Sequence, residues 1–437
     1  MIGFFMRFMP AFLWSLVIFV LFYAGVTLCP PTPNVFLGNS VREGLEDSAP
    51  YLQDIRTTGP ETSLALGEPQ HRASDFFVNE LKNEKVVREG FGRYPATEGS
   101  EALRIAISEF ITRRYSPAAS IPDQHVLPVN GTREALFSIA QAVTNPSYRS
   151  TVLIPNPFYQ IYEGAALLAG MNVRYLNEVP ENNFCVEASA ISEDVLTNTG
   201  LIYLCNPGNP HGRVMTRNQL KDWILIAQEY QIPVVSDECY SEIFRDEESP
   251  PPGLLQVAAE LGITDFNHCL TFNSLSKRSN LPGLRSGFVA GDANLIDSFR
   301  LYRTYHGSAM ALHTQRVSTL AWQDEAHVRD NRALYREKFD LFISALADCW
   351  PIEQPDASFF LYPTIPPVDG LPHADDQAFT QWLYERTGVK ILPGSFLSRE
   401  TEGINPGAGH VRIALVSDID TIRAAAEKIR AALVASG

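Results

Sequence analysis

Several common signatures are absent from this chain of 437 residues. Its six cysteines are scattered, with no Cys-x-x-Cys pair, so we expect reduced thiols and neither a disulfide framework nor a zinc site. The nine histidines show no metal-ligand spacing, and His306 and His313 are better explained by packing or surface positions. No internal repeat and no low-complexity tract occurs. The sequence therefore predicts a globular protein without a metal.

An excess of basic residues is also missing. The chain has 35 Lys and Arg against 50 Asp and Glu, a formal net charge of −15. A nucleic-acid-binding surface needs clustered positive charge, so we expect no nucleic-acid partner. Because 45% of the residues are hydrophobic, the chain can bury a large core, in more than one domain. This balance is ordinary for a soluble metabolic enzyme.

The N-terminal segment does not fit that description. From Phe8 to Cys29 there is no charged residue, and a run of this length can span a bilayer as a helix. Three interpretations stay open: a membrane anchor, an export signal, or a start codon assigned too far upstream. The anchor and the misassigned start are favoured over export. We expect the remainder of the chain in the cytoplasm, with membrane contact only if residues 8–29 are an anchor.

From about residue 60 the chain alternates apolar runs with amphipathic helical runs. The run Thr216 to Tyr230 begins with a capping box and carries apolar residues at helical spacing. Strands that alternate with helices predict a mostly parallel α/β sheet, whose site lies at the carboxyl ends of the strands. The short, buried-looking strands are predicted at 151–155, 201–205, 232–236 and 269–272.

After about residue 300 the pattern changes. A long helical stretch to about Cys349 precedes separated strand-like runs at 358–362, 389–392 and 411–416. This order predicts a second, smaller α+β domain.

The most informative run extends from Ser274 to Arg285 and reads Ser-Leu-Ser-Lys-Arg-Ser-Asn-Leu-Pro-Gly-Leu-Arg. A lysine that reacts as an amine, here Lys277, must be held rigidly and lose its proton easily. A phosphate beside it is bound by hydroxyls and a guanidinium, which Ser274, Ser276 and Arg285 supply. The run resembles the lysine segment of the fold-type I, pyridoxal-phosphate (PLP) dependent aminotransferases. It is most similar to the succinyldiaminopimelate aminotransferase branch.

This resemblance covers roughly residues 60 to 435. It implies an α/β fold-type I PLP-transferase, with a large domain around a mostly parallel seven-stranded sheet and a smaller α+β domain. It implies pyridoxal 5′-phosphate as the cofactor. The predicted divisions are the apolar segment and linker 1–40, an N-terminal arm 41–75, a large PLP-binding domain 76–305 and a small domain 306–437.

Asp237 ends a predicted strand, in Val-Val-Ser-Asp-Glu-Cys-Tyr. A carboxylate against the ring nitrogen of PLP keeps that nitrogen protonated. Taken alone, an aspartate that caps a turn is the simpler interpretation. The resemblance implies the ring-nitrogen role, and it implies that Tyr240 donates to the phenolate oxygen of the ring.

Asn209 lies in Cys-Asn-Pro-Gly-Asn-Pro-His-Gly, which any tight loop could show. The family pattern is Asn-Pro-x-Asn-Pro-Thr-Gly, and its second asparagine binds the same phenolate oxygen. His211 stands where the family has threonine, a departure that could alter the hydrogen bonding of the loop. Asn209 precedes Asp237 by 28 residues and Lys277 follows Asp237 by 40, an order and spacing that match the family.

The phosphate also needs backbone donors. A glycine before a predicted helix, Glu134 to Val143, offers free N–H groups and the positive end of the helix dipole. The resemblance also implies that Tyr94 reaches the phosphate of a neighbouring subunit, so we expect a homodimer. The residues expected around the phosphate are Gly131, Thr132, Arg133, Ser274, Ser276, Arg285 and Tyr94.

Three further residues are carried over from the family. Tyr159, rather than Phe158, is expected to cover the ring face. Arg412 lies in a strand-like run, where a charge is costly unless it is paired. Strand alternation alone points it outward, whereas the resemblance implies a fork for the substrate α-carboxylate. Gly67 resembles the glycine whose backbone approaches that carboxylate.

The implied activity is transamination between glutamate/2-oxoglutarate and a second amino or keto acid, with N-succinyl-LL-diaminopimelate favoured. An aspartate, LL-diaminopimelate or aromatic aminotransferase would share every cofactor residue, as would a PLP-dependent β-lyase. A PLP-binding regulator is disfavoured, because residues 1–60 lack the length and basic charge of a DNA-binding module. A non-catalytic PLP-binding protein is the last alternative. Segment 40–63 departs from the family, and the sequence does not identify the residue that binds the distal carboxylate.

Overall fold

The structure is a computed structural model, which describes residues 60–115 and 121–436 together with Leu52 and Thr57. The predicted membrane segment 8–29, the linker and about half of the predicted arm 41–75 lie outside the described residues. Within the described ranges, no helix combines the length and apolar character that crossing a membrane requires. Residues 60–115 and 121–436 belong to one compact unit.

The strands of the described residues are β1 Thr62–Ser63, β2 Val126–Val129, β3 Thr151–Asn156, β4 Asn172–Asn177, β5 Thr199–Cys205, β6 Val234–Asp237, β7 Cys269–Ser274, β8 Gly287–Gly291, β9 Phe360–Leu361, β10 Val389–Lys390, β11 Leu392–Pro393 and β12 Val411–Ala414. The helices are α1 Asp75–Leu81, α2 Glu84–Phe91, α3 Glu101–Tyr115, α4 Thr132–Val143, α5 Ile161–Leu168, α6 Glu193–Thr197, α7 Arg217–Tyr230, α8 Leu254–Glu260, α9 Leu275–Arg278, α10 Ala293–His306, α11 Leu312–Gln323, α12 Ala326–Leu346, α13 Asp376–Thr387 and α14 Ile419–Val434.

The seven-stranded sheet has the order β2-β8-β7-β6-β5-β3-β4. All neighbouring pairs are parallel except the two that involve β8, which runs antiparallel to β2 and β7. The four predicted strands are confirmed as β3, β5, β6 and β7, and the fold class is confirmed with them. The prediction missed β2, β4 and β8. β4 is a partly exposed edge strand with polar residues at both ends, which hides it from a search for apolar runs.

Helices cover both faces of this sheet, so alternate strand residues enter two different cores. On one face Val152 and Leu201 pack with α4, α5 and α10. On the other face Leu153 and Ile202 pack with α3, α7, α8 and α11. Both faces are buried, which explains why the central strands are mainly apolar rather than alternating with polar residues. The capping box predicted for α7 is confirmed at Thr216.

The smaller α+β part contains an antiparallel sheet with the order β11-β12-β9, and a parallel pair formed by β1 and β10. The pairing of β1 with β10 joins the arm to the C-terminal part of the chain, where α12, α13 and α14 supply the core. The predicted long helix to about residue 349 is wrong in one respect. It is three helices, because Gly307 ends α10 at φ +88° and a short break separates α11 from α12. The domain boundaries stay predictions.

Candidate active site

The predicted site residues lie at the carboxyl ends of three neighbouring strands. Asp237 is the last residue of β6, which lies between β5 and β7 in the sheet. Asn209 follows β5 by four residues and Lys277 follows β7 by three. Because carboxyl ends of adjacent parallel strands meet at one edge of a sheet, the topology brings these three residues together.

Lys277 lies on the short helix α9, whose start is held by Ser274. The Ser274 hydroxyl oxygen accepts a hydrogen bond from the Ser276 amide at 3.0 Å. Lys277 Nζ donates to the Gly67 carbonyl at 2.8 Å and lies 5.0 Å from the centroid of the Phe359 ring. Burial lowers the pKa of Lys277 to about 8, and the nearby charge of Arg412 lowers it further. A larger fraction of this amine is therefore neutral near pH 7 than of an exposed lysine.

Asp237 is buried and is held by neutral donors. The Tyr162 hydroxyl donates to Oδ2 at 2.7 Å, and the Cys239 amide donates to Oδ1 at 3.2 Å. Burial raises the pKa of Asp237, and these hydrogen bonds lower it. No arginine or lysine of the described residues forms an ion pair with this carboxylate within 4 Å, so a cationic ligand atom would complete its environment. Tyr162 was not predicted.

Arg412 is buried, which corrects the outward orientation that strand alternation alone suggests. Its Nη1 donates to Asn209 Oδ1 at 3.2 Å and its Nη2 donates to the Ala65 carbonyl at 2.9 Å. The guanidinium carbon lies 4.4 Å from the centroid of the Phe360 ring. Burial lowers the pKa of Arg412 to about 10. Arg412 Nε has no hydrogen-bond partner and no described carboxylate pairs with the side chain, so the position favours an anionic ligand.

Asn209 and Tyr240 keep donors for a ligand. Since Asn209 Oδ1 accepts from Arg412, its amide nitrogen is left to donate. Tyr240 is buried and packs against the rings of Phe359 and Phe360, and its hydroxyl forms no hydrogen bond with the described residues. Both groups therefore fit the expectation that a phenolate oxygen lies between them.

Gly131 and Arg285, two residues of the predicted phosphate cup, lie in close contact. Gly131 precedes α4 at φ +85°, and no side chain caps this helix. A Cβ atom at Gly131 would collide with the Arg285 guanidinium, so only glycine allows this close approach. Arg285 Nη1 donates to the Pro282 carbonyl at 2.8 Å. The first amides of α4 and an arginine fork thus lie side by side, which suits a phosphate.

The other residues of the predicted phosphate cup differ in burial and in distance from Lys277. Ser274 and Ser276 are buried beside Lys277. The Thr132 hydroxyl lies 3.1 Å from Cys239 Sγ, which ties the start of α4 to the Asp237 loop. Tyr94 is 98% exposed and packs against none of these residues in a single chain. Its predicted role therefore depends on a second subunit.

Tyr159 is connected both to Asp237 and to Arg133. Its ring lies edge-on to the ring of Tyr162 with centroids 5.8 Å apart. Its hydroxyl accepts a hydrogen bond from Arg133 Nε at 2.9 Å. Burial raises the pKa of Tyr159, so the phenol stays neutral.

A buried polar network behind Lys277 was missed by the sequence analysis. Asn331 Nδ2 donates to the Lys277 carbonyl at 3.1 Å, so its Oδ1 accepts from His71 Nδ1 at 2.7 Å. His71 Nε2 then accepts from Lys338 Nζ at 2.6 Å. We call His71, Asn331 and Lys338 the His71 network. The available sequence signal is the presence of two polar residues, Asn331 and Lys338, on the buried face of α12. Local motifs do not reveal that these residues are buried.

His211 is a packing residue of its loop. Its Nδ1 accepts from the Arg213 amide at 3.1 Å, so Nε2 carries the proton that is donated to Glu178 at 3.0 Å. The ring stacks on Phe184 with centroids 5.2 Å apart. The departure from the family threonine therefore gives the loop a buried hydrogen-bonded pair.

Comparison with known proteins agrees with this geometry. The family model described as "Aminotransferase class I and II" matches residues 61–429. The LL-diaminopimelate aminotransferase of Natranaerobius thermophilus is 28% identical over 401 residues, covering 88% of this chain and 97% of that protein. A putative aminotransferase AatC of Rhizobium meliloti is 29% identical, with coverages of 84% and 87%.

Solved structures give the same result. An aminotransferase from Neisseria meningitidis has a TM-score of 0.81 and 43% identity, covering 88% of this chain and 95% of its own. The aminotransferase AspB from Helicobacter pylori has a TM-score of 0.80 and 32% identity, with coverages of 90% and 98%.

Proposed function

The chain belongs to the class I and II aminotransferase family, which depends on PLP, and we propose that Lys277 is the residue through which its site moves an amino group between an amino acid and a keto acid. The observation that carries this proposal is the environment of Lys277. Its amine has a pKa of about 8 and interacts electrostatically with Asp237, a buried carboxylate, and Arg412, a buried arginine. A reactive amine needs a lowered pKa and fixed surroundings, and both are present.

The donor set fits PLP. The uncapped start of α4 and the Arg285 fork suit its phosphate. The buried Asp237 carboxylate suits a protonated ring nitrogen, and the free donors of Asn209 and Tyr240 suit the phenolate oxygen. When bound, PLP withdraws electrons from the bonds of the substrate α-carbon.

The residues of the chain then have separate tasks. The Arg412 guanidinium binds the substrate α-carboxylate and fixes the orientation of the α-carbon. Lys277 Nζ accepts the proton of that carbon and delivers it again, for which a pKa of about 8 is well placed. The Gly67 carbonyl, 2.8 Å from Nζ, orients the amine. Phe359 and Phe360 exclude water on the side of the small domain.

An absorbance spectrum tests this function. Purified protein with PLP should show a visible or near-ultraviolet chromophore that shifts to the pyridoxamine form when glutamate is added. Lys277→Ala should not give the wild-type chromophore, and any shift on adding glutamate should be far slower than in the wild type. A wild-type chromophore that ignores every amino acid would contradict transamination, and release of pyruvate without a keto-acid acceptor would indicate a β-lyase.

For the substrate, we propose an amino acid of the diaminopimelate type, which donates its amino group to 2-oxoglutarate. The amino-acid sequence from Ser274 to Arg285 supports N-succinyl-LL-diaminopimelate. The relative from Natranaerobius thermophilus is named for LL-diaminopimelate, which supports the free compound. The ratio of kcat/KM for the two compounds, each with 2-oxoglutarate, decides between them. Aspartate and phenylalanine serve as controls, and a preference for either would overturn the diaminopimelate assignment.

We also propose a homodimer in which Tyr94 serves the site of the neighbouring subunit. Its 98% exposure in a single chain supports this role. Lys277→Ala and Tyr94→Ala protomers can be mixed, unfolded and refolded together. A hybrid dimer contains one site with both residues intact, so activity should reappear. If the mixture stays as inactive as its components, Tyr94 does not act across an interface.

A further inference from the structure

We propose that the Arg133 side chain and the Tyr159 hydroxyl form the subsite that binds the distal anionic group of a dicarboxylic substrate. This inference rests on the proposed function and deepens it, because it assigns a residue to substrate selection. It concerns the Arg133 guanidinium, whereas the phosphate is expected to use the backbone amide.

The position of Arg133 follows from a short chain of contacts. The Asp237 carboxylate accepts from the Tyr162 hydroxyl at 2.7 Å, and the Tyr162 ring lies edge-on to Tyr159 at 5.8 Å. The Tyr159 hydroxyl accepts from Arg133 Nε at 2.9 Å. The guanidinium therefore lies beside the Tyr159 hydroxyl, a group whose pKa the Asp237 charge also raises. Its positive charge also lowers the pKa of Lys277, which is consistent with a place in the same site.

The two Nη atoms of the Arg133 guanidinium remain available to bind a ligand. Only Nε is used, and neither Nη atom of Arg133 forms a hydrogen bond or ion pair with the described residues. Tyr159 accepts from Nε, so its own hydroxyl proton is available as a further donor. Arg133 is exposed and Tyr159 is partly buried, so the fork faces solvent while its base is fixed. A planar fork that is fixed at one nitrogen is preorganised for a carboxylate.

The neighbouring arginines are already paired with carboxylates. Arg278 is fully buried with Glu325 at 2.6 Å and lies over the rings of Phe110 and Trp322, so it is excluded as a substrate ligand. Arg303 pairs with Glu134 at 2.6 Å. These side chains stabilise the fold rather than reach the site.

Three arginines at the site thus have no carboxylate partner among the described residues: Arg285, Arg412 and Arg133. Every amino-acid substrate with its cofactor brings two anionic groups, a phosphate for Arg285 and an α-carboxylate for Arg412. The third guanidinium matches a third anionic group. Glutamate and diaminopimelate-type compounds carry such a group, and neutral amino acids do not.

The test compares glutamate with norleucine, which has no distal anion. In Arg133→Gln, kcat/KM for glutamate should fall about 10- to 100-fold, because a charge-assisted fork is lost. The value for norleucine should change less than about twofold. Tyr159→Phe keeps the ring and should give a smaller loss with the same preference. Arg423→Gln, at an exposed arginine of α14, is the matched control and should change neither value.

A binding measurement supplies a readout that does not depend on turnover. Titration of the PLP-loaded protein with glutarate and valerate, two unreactive acids, should show weaker glutarate binding in Arg133→Gln and unchanged valerate binding. Equal losses for glutamate and norleucine, or no loss at all, would overturn the proposal. Weaker PLP binding in Arg133→Gln would assign the side chain to the phosphate and would overturn it too. If wild-type protein reacts with no amino acid, the proposed function itself has failed.

Discussion

The site has two halves that are built in different ways. The cofactor half, Gly131 to Arg285, comes from loops at one edge of the seven-stranded sheet. The substrate half, with Gly67 and Arg412, comes from the arm and from the small α+β part. Its contacts with the cofactor half join distant residues, such as Arg412 to Asn209 across 203 positions and Lys277 to Gly67 across 210. The first half is fixed by strand ends, whereas the second depends on how the two parts pack.

This difference implies that mutations should separate cofactor binding from substrate binding. Loops at strand ends are held rigidly by the sheet. A substitution in such a loop therefore alters the chemistry near the substituted residue. The arm is positioned by the His71 network and by Phe359 and Phe360, whose rings lie against Gly67. A change in that network should act on the substrate half while the cofactor stays bound.

The largest effect is expected for Lys277→Ala in the cofactor half. The glutamate half-reaction should slow by at least about 10²- to 10⁴-fold, because the group that transfers the proton is lost. Stopped-flow absorbance measures this rate. Lys221→Ala, at an exposed lysine of α7, should react like the wild type. A fast half-reaction in Lys277→Ala would remove this lysine from the mechanism.

A reciprocal pair of variants tests the separation itself. Arg412→Gln should raise the KM of amino-acid substrates about 10- to 100-fold and leave PLP affinity unchanged, since its fork binds the α-carboxylate. Arg285→Gln should weaken PLP binding and leave the KM nearly unchanged once the protein is saturated with PLP. Fluorescence titration gives the PLP affinity and steady-state kinetics gives the KM. If both variants lose both properties equally, the two halves are not separable.

His71→Phe should loosen the substrate half. The change leaves Asn331 Oδ1 and Lys338 Nζ buried without their partner, at a cost of about 1–3 kcal/mol in the free energy of unfolding. Urea denaturation measures this loss, and the KM for glutamate should rise with it. Lys338→Met removes one of the stranded groups, so the double variant should lose less stability than the sum of the single variants. Strict additivity would argue against a network.

The smallest effect concerns pH. Below pH 8 the Lys277 amine of the PLP-free protein is mostly protonated and unreactive, so attachment of PLP should speed up as the pH rises and level off above about 8. A lysine with the ordinary value of 10.5 would keep accelerating through this range. In Arg412→Gln the midpoint should move upward, because a positive charge that lowers the Lys277 pKa is gone. A midpoint near 10.5 in the wild type would contradict a lowered pKa.

Local sequence patterns predicted those parts of the fold and of the site that are encoded within a few consecutive residues. The mainly apolar strands β3, β5, β6 and β7, and the capped helix α7, were found because burial and capping leave marks within a few residues. The polar edge strand β4 was missed because its sequence is not a continuous apolar run. Asn209, Asp237 and Lys277 were found because each belongs to a short motif at or just after the end of a strand.

The sequence by itself determined the α/β class, the order of the strand-end loops and the family, because these features are encoded within short windows. Only the tertiary structure decided that Arg412 is buried beside Asn209, that Tyr162 holds Asp237, and that His71 joins the arm to α12. It also showed that Arg133 is fixed by Tyr159 while Arg278 is buried in the core. The physical reason is that these contacts join side chains far apart in the chain, whose meeting depends on packing and topology rather than on any local pattern.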